Sequence, residues 1–339
     1  MPIERRLLAL FLLFAVLPVE AFSPQISDAP ALGKAIFSDT GFSEDHSTSC
    51  LFCHGDTFGF GDERGTSVGV HRRTSVRRSL NLLDLPLYKS FFWDGRVASL
   101  LDQARLPFVS PVELGLKSED EVLRRIRRNP AYVEAFQRLY GVKPGGISMN
   151  HVAKALVAFE QALPRPPSRI DRYLAGDITA LSAVARHGME VFAGKGGCST
   201  CHVVDERKAP LTDNQFHASG VGLASAGAQL SRLLAQVAEL DQRERFARIA
   251  LDPQISDLGR YVVTLNSADI GKFRTPSLRN VASANRLFMH DGSIFTLREA
   301  IELEIRFRGL ERGRPLDLST IERDDIQVFL EEISNSTRS

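Results

Sequence analysis

Four cysteines occur in the chain, and two Cys-x-x-Cys pairs account for all of them: Cys50 with Cys53, and Cys198 with Cys201. A histidine follows each pair directly, giving Cys50-Leu51-Phe52-Cys53-His54 and Cys198-Ser199-Thr200-Cys201-His202. Cys-x-x-Cys-His is the attachment pattern of c-type haem. The two thiols add to the two vinyl groups of one haem, and the adjacent imidazole, His54 or His202, reaches the iron. Four cysteines in an oxidising compartment would otherwise be read as two disulfides; the histidines after both pairs favour haem. A thioredoxin-like motif wants a βαβ context, and none is evident. A shared zinc would need the pairs close together, whereas they lie in different halves of the chain.

The compartment is read from the first residues. Arg5 and Arg6 form a basic segment, Leu7 to Leu17 is an apolar run, and Val19-Glu20-Ala21 offers small residues for cleavage. Residues 1–21 therefore read as a secretory signal peptide, which places the mature protein in the periplasm. The run is short for a bilayer span, and no later segment is apolar enough to make one, so no stable membrane span is expected. The 339 residues are 43% hydrophobic and 24% charged, with a formal net charge of +1. That composition is globular and argues against disorder, collagen-like repeats and a polytopic membrane protein. The balanced charge gives no support to a nucleic-acid partner. The length suggests two domains.

An internal repeat supplies the elements that would hold the two sites. Leu32-Gly33-Lys34-Ala35-Ile36-Phe37 before the first motif echoes His187-Gly188-Met189-Glu190-Val191-Phe192 before the second. Phe92-Trp93-Asp94-Gly95 and Met289-His290-Asp291-Gly292 are matching turns, each leading through Ser99 or Thr296 into a Leu-led helix. Counted equally far past Trp93 and His290, the first half has Pro107 and the second Glu304. Proline offers iron no side-chain ligand, whereas glutamate does. If this position faces each haem, the first is open to peroxide and the second is closed and suited to passing electrons.

The remaining pattern is mostly helical. Helices are expected near Ala29–Phe37, from a Ser118–Glu121 capping box to Pro130, over Tyr132–Leu139 and over Met149–Leu163. Others are expected over Ile178–Phe192, Ala224–Leu240 and Ile321–Ile333. Pro164-Arg165-Pro166-Pro167 is a stiff breaker and the clearest linker. The boundaries that follow are 22–165 for an N-terminal haem domain and 166–339 for a C-terminal one. The arginine clusters at Arg72-Arg73, Arg77-Arg78 and Arg124–Arg128 read as solvated faces or partners of haem propionates.

With these elements placed, the sequence resembles the bacterial dihaem cytochrome c peroxidase family, including its MauG-like branch. The resemblance rests on both haem motifs, Phe92-Trp93-Asp94-Gly95-Arg96, Pro111-Val112-Glu113, Phe159-Glu160, Asp171–Asp177, Asp213–His217 and Phe273–Val281. It implies a mainly α fold of two cytochrome c-like helical haem domains related by the internal repeat. It makes His54 the proximal ligand of a peroxide-binding haem and His202 that of an electron-transfer haem. Gln103 and Glu113 match the family's pair that positions peroxide and shuttles its proton, Trp93 matches its inter-haem tryptophan, and His71 its displaceable distal ligand.

Two departures matter. Where peroxidases have methionine and MauG-like enzymes tyrosine, this chain has Glu304, with Met289 and Glu302 as alternative ligands. The family's inter-domain calcium is doubtful, because its asparagine aligns with Arg78 or Ser79; carbonyls near Asn285 and Leu287 are what remains of the site. The expected function is oxidation at the expense of hydrogen peroxide. The electron-donor protein would be a small cytochrome c, a cupredoxin, or a protein substrate oxidised at its side chains. A non-catalytic dihaem electron carrier or redox sensor is the alternative.

Overall fold

The computed structural model describes residues 26–334 except 57–58, 63, 224–226 and 283–286. The signal-peptide stretch, Asn285 and the start of the helix expected from Ala224 lie outside the described residues. Among the described residues no helix is long and apolar enough to cross a membrane.

The chain is mainly helical. In the first half α1 (Ala29–Ser38), α2 (Glu119–Arg128), α3 (Pro130–Tyr140) and α4 (Met149–Ala162) enclose one core built on Leu32, Phe42, Phe108, Ile126, Phe136 and Val152. In the second, α5 (Ala183–Ala193), α6 (Leu230–Glu239), α7 (Gln242–Leu251), α8 (Leu297–Glu311) and α9 (Thr320–Ser334) are joined by a two-stranded antiparallel ribbon. Its strands are β1 (Phe216–Ala218) and β2 (Lys272–Arg274), in the register Phe216–Arg274, His217–Phe273. A second core gathers Ile170, Phe192, Ile305 and Phe329, and a third, smaller one gathers Leu233, Val237, Ile249 and Ile255.

The repeat is visible in backbone detail. In the first half α1 crosses α4, and in the second α5 crosses α9. Both crossings are made at glycine. A Cβ added at Gly33 would lie 2.0 Å from the Ala155 carbonyl oxygen, and one at Gly188 would lie 1.9 Å from that of Asp325. Gly33→Ala and Gly188→Ala are each expected to destabilise the protein by about 1–3 kcal/mol or more, because backbone must move at both. Unfolding midpoints measured on the two variants check this. The turns repeat as well. Phe92 and Met289 take left-handed φ of 65° and 67°, and Gly95 and Gly292 follow at 65° and 71°. Bridges Phe91–Val97 and Phe288–Ile294 close the two turns identically.

Some expectations are corrected. Ser118 makes no side-chain cap; the Glu121 carboxylate instead accepts from the Lys117 backbone N–H at 3.2 Å and pairs with Arg125 at 2.8 Å. The run from Ile178 breaks into a 3₁₀ turn, Ile178–Ala180, before Ser182 caps α5. Helix α7 had no clear signal, since its sequence Gln-Arg-Glu-Arg-Phe-Ala-Arg-Ile-Ala-Leu buries only Ile249. Arg77 is not solvated. It is bonded to Asp94 at 2.5 Å, and the Asp94 carboxylate is fully buried between Arg77 and Arg96. Those two cations hold the Asp94 carboxyl below the usual carboxylate range despite its burial.

Candidate functional site

Two cavities occupy corresponding places in the halves. Cys50, Cys53 and His54 line the first, and Cys198, Cys201 and His202 line the second. The four cysteines form no disulfide among themselves. Cys50 to Cys53 form one α-helical turn, and Cys198–Thr200 form a tighter 3₁₀ turn in the matching place. Each histidine then turns its ring by one bond: Nδ1 of His54 donates to the Phe60 carbonyl at 3.0 Å, and Nδ1 of His202 to the Leu211 carbonyl at 2.9 Å. Phe60 and Leu211 both adopt left-handed φ, 58° and 54°, to present those carbonyls. A carbonyl at Nδ1 fixes the tautomer and leaves Nε2 as the free donor atom. Burial lowers the pKa of both rings, that of His202 to about 4, so they stay neutral and able to ligate.

The donor set fits a c-type haem in each cavity. Burial raises the pKa of three thiols, Cys53 to about 11, Cys198 to about 12, and Cys50 further. They are neutral side chains turned into largely apolar space. Four polar atoms lining the first cavity have no hydrogen-bond partner: Thr48 Oγ1, Asn81 Nδ2, Glu160 Oε2 and Arg274 Nη1. Buried polar atoms are normally bonded, so this wall awaits a ligand with polar edges.

Gln103, Pro107 and Glu113 line the first cavity together with the attachment motif. Gln103 ends the one-turn helix Leu100–Gln103, and Pro107 is the second residue of the next, Leu106–Val109. Burial raises the Glu113 carboxyl above the usual range, with Arg96 and Ser110 opposing it. Trp93 is 5% exposed and lines both cavities. Its Nε1–H donates to the Arg78 carbonyl at 2.8 Å, and its ring centre lies 6.5 Å from that of His290. Glu304 lines the second cavity, as does Met289. Burial raises the Glu304 carboxyl, while Arg308 at 3.6 Å pulls the other way. Glu302 points elsewhere, into ion pairs with Arg298 and Arg323.

His71 stands apart from the cavity it was expected to enter. His71 and Arg72 are both left-handed, φ 54° and 57°, and this loop turns the imidazole to the surface. There Nε2 meets Glu44 at 3.0 Å, and the His71 backbone N–H donates to Asp45 at 2.7 Å. In this conformation the His71 imidazole is not part of the first cavity's lining. Arg78, at the position that made calcium doubtful, lies beside the Met289–His290 turn. The Arg78 backbone N–H donates to the His290 carbonyl at 2.8 Å and its Nε lies 3.4 Å from the Met289 carbonyl, so a guanidinium sits beside the carbonyls of this turn.

Two groups entered the sequence reading only as parts of matched segments, with no role assigned. His217 lines the second cavity, and its Nε2 is 2.7 Å from Asp213. Cys201 and Asp213 raise its pKa to about 9. Cys201, Asp213 and His217 lie within metal-binding reach of one another. A thioether at Cys201 removes the thiolate such a metal would need, so Cys201 and His217 read as cavity wall with Asp213 bonded to His217. Glu160, quoted above only as part of a match, is 5% exposed, and burial raises its carboxyl to about 8 from an ordinary 4.5. Folded protein then holds a proton that unfolded chain releases between those two values. Stability therefore falls as pH rises from about 4.5 through 8. Glu160→Gln should lack that fall, which thermal unfolding measured across this range will show.

The profile of the family described as di-haem cytochrome c peroxidase matches residues 27–179. Cytochrome-c peroxidase IdrP1 of Pseudomonas sp. (strain SCT) is 32% identical over 331 residues, covering 94% of this chain and 84% of the relative. Methylamine utilization protein MauG of Methylorubrum extorquens is 32% identical over 317 residues, covering 92% and 79%. Among solved structures, a MauG-like protein associated with microbial copper homeostasis superposes with a TM-score of 0.70 at 25% identity, covering 91% of this chain and 90% of that one.

Proposed function

The chain belongs to the di-haem cytochrome c peroxidase family, and on that premise we propose that it is a periplasmic enzyme. In it, peroxide is consumed at the N-terminal haem site, and an external donor protein supplies electrons by way of the C-terminal site. Membership makes it a peroxide-dependent dihaem oxidoreductase with two c-type haems and an electron donor. The haems would be joined covalently, one to Cys50 and Cys53 with His54 as proximal ligand, the other to Cys198 and Cys201 with His202. When bound, such groups accept the oxidising equivalents of peroxide and exchange electrons. We assign residues 22–165 to the first haem domain and 166–339 to the second, with residues 1–21 as a cleaved signal peptide.

The chain's own residues divide the remaining work. Cleaving an O–O bond heterolytically moves a proton from one oxygen to the other. Glu113, whose carboxyl is held above its ordinary range by burial, is suited to take that proton and return it. Gln103 shares the cavity and offers an amide to orient peroxide. Pro107 leaves the space beside them without a ligating side chain. Trp93 walls both cavities and is the oxidisable side chain between them. Glu304 is the proposed sixth ligand on the second side.

The observation that carries this reading is the gathering of Gln103, Pro107 and Glu113 in one cavity with Cys50, Cys53 and His54. The outward position of His71 favours the version that needs no activation, as in MauG-like chemistry, over a peroxidase that must first be reduced. Rapid mixing of the fully oxidised protein with hydrogen peroxide tests it. An immediate change in the haem spectrum is expected; a change seen only after prior reduction would assign the peroxidase version, and none in either state would reject the proposal.

A further inference from the structure

Arg274 is the largest side chain in the fully buried set, with 1% of its surface exposed. It ends strand β2, and its surroundings hold it in place without neutralising it. The guanidinium lies over the Tyr88 ring, 3.6 Å from its centre. Nε reaches the Phe92 carbonyl at 3.4 Å, and the backbone N–H donates to the Trp93 carbonyl at 2.7 Å. Nη1 has no hydrogen-bond partner. Among the described residues no carboxylate forms an ion pair with it. An isolated buried charge costs several kcal/mol unless an anion meets it. Two nearby arginines show the contrast: Arg77 has Asp94, and Arg279 holds Asp171 at 2.5 Å. Arg274 lines both cavities, as Arg78 does, and among the described residues it has no carboxylate partner there.

We propose that Arg274 is a carboxylate-binding residue shared by the two cofactor sites, which receives haem propionate through its unpaired Nη1 and sets the charge felt on both sides of Trp93. The proposal rests on the two-haem reading above. A guanidinium fork suits a carboxylate better than an ammonium does, since it offers parallel donors in a fixed plane. The Tyr88 ring fixes that plane, so the donors cannot swing away from the cavities. Because the same residue bonds the Phe92 and Trp93 carbonyls, cofactor position and the position of the tryptophan are set by one side chain.

The test uses purified holoprotein carrying Arg274→Met or Arg274→Lys. Haem content by pyridine haemochrome comes first, and fewer than two haems in the unmodified protein would fail the two-haem reading rather than this one. In loaded Arg274→Met, the propionate bending bands in resonance Raman should shift and both haems should become harder to reduce. The expected size is about a tenfold change in the ferrous-to-ferric ratio at a fixed potential, equivalent to about 59 mV for one electron. Arg274→Lys should restore most of that ratio yet still move the bands, because it loses the fork. Unmoved bands and ratios in Arg274→Met, even with a lowered unfolding midpoint, would leave only a packing role and overturn the proposal. If the methionine variant does not load, unmoved bands in Arg274→Lys overturn it equally.

Discussion

Replacing Glu113 with glutamine should leave both haems attached and slow the reaction with hydrogen peroxide by about 10²–10⁴-fold, the usual worth of a positioned acid–base group. The substitution keeps the size of the side chain and its bonding capacity toward Ser110, so the cavity wall stays intact. What it removes is a group able to accept and return a proton. Glu113 is suited to that because burial raises its pKa above the ordinary carboxylate range, with Arg96 and Ser110 opposing. The rate loss should therefore show in single-turnover mixing with peroxide, with haem content and the resting spectrum unchanged. Gln103→Leu should raise the peroxide concentration needed more than it lowers the maximal rate, since an amide orients without exchanging protons. Unchanged peroxide kinetics in Glu113→Gln would sink the catalytic assignment and restore the electron carrier or sensor as the better reading.

The second large effect is expected at Glu304. Glu304→Ala should change the low-spin spectrum of the C-terminal haem and make that haem easier to reduce, because an oxygen anion favours oxidised iron. The side chain stands in the second cavity where the repeat predicted it, on the helix that starts at Thr296, and burial disfavours leaving its charge without a partner. Arg308, at 3.6 Å, and His217 are cations near enough to compete for it. Met289→Leu is the control, since Met289 lines the same cavity and offers sulfur. A spectrum altered by Met289→Leu and untouched by Glu304→Ala would move the ligand assignment to methionine.

The sequence made the repeat legible because the features that build it are local. Glycine is the one residue that fits where α1 meets α4 and α5 meets α9, and an Asp-Gly pair marks each left-handed turn. The attachment motifs are equally local, since two thiols and an imidazole must lie within five residues to grip one cofactor. What stayed hidden depends on distant partners. Arg274 looks like any arginine next to a phenylalanine until Tyr88 and Trp93, far back in the chain, close over it. His71 sits in a loop whose two left-handed residues no side-chain type demanded, and that backbone choice turns the ring to solvent. Helix α7 carries charge at four of its ten positions, so its single buried face was masked.

The turn around Trp93 belongs to the first half by position in the chain and to the second by attachment. Arg274 holds its Phe92 and Trp93 carbonyls, Arg260 Nη1 bonds the Asp94 carbonyl at 3.0 Å, and Ile249 and Ala250 complete the wall of the first cavity. A growing chain that has reached the Pro164–Pro167 segment thus owns both cysteines of its first site but not the far side of the chamber. The first chamber is therefore closed only by residues of the second half, from Ile249 to Arg274, although its attachment motif lies wholly in the first. A chain truncated before Ile249 is expected to lose part of the first site's wall along with the second site.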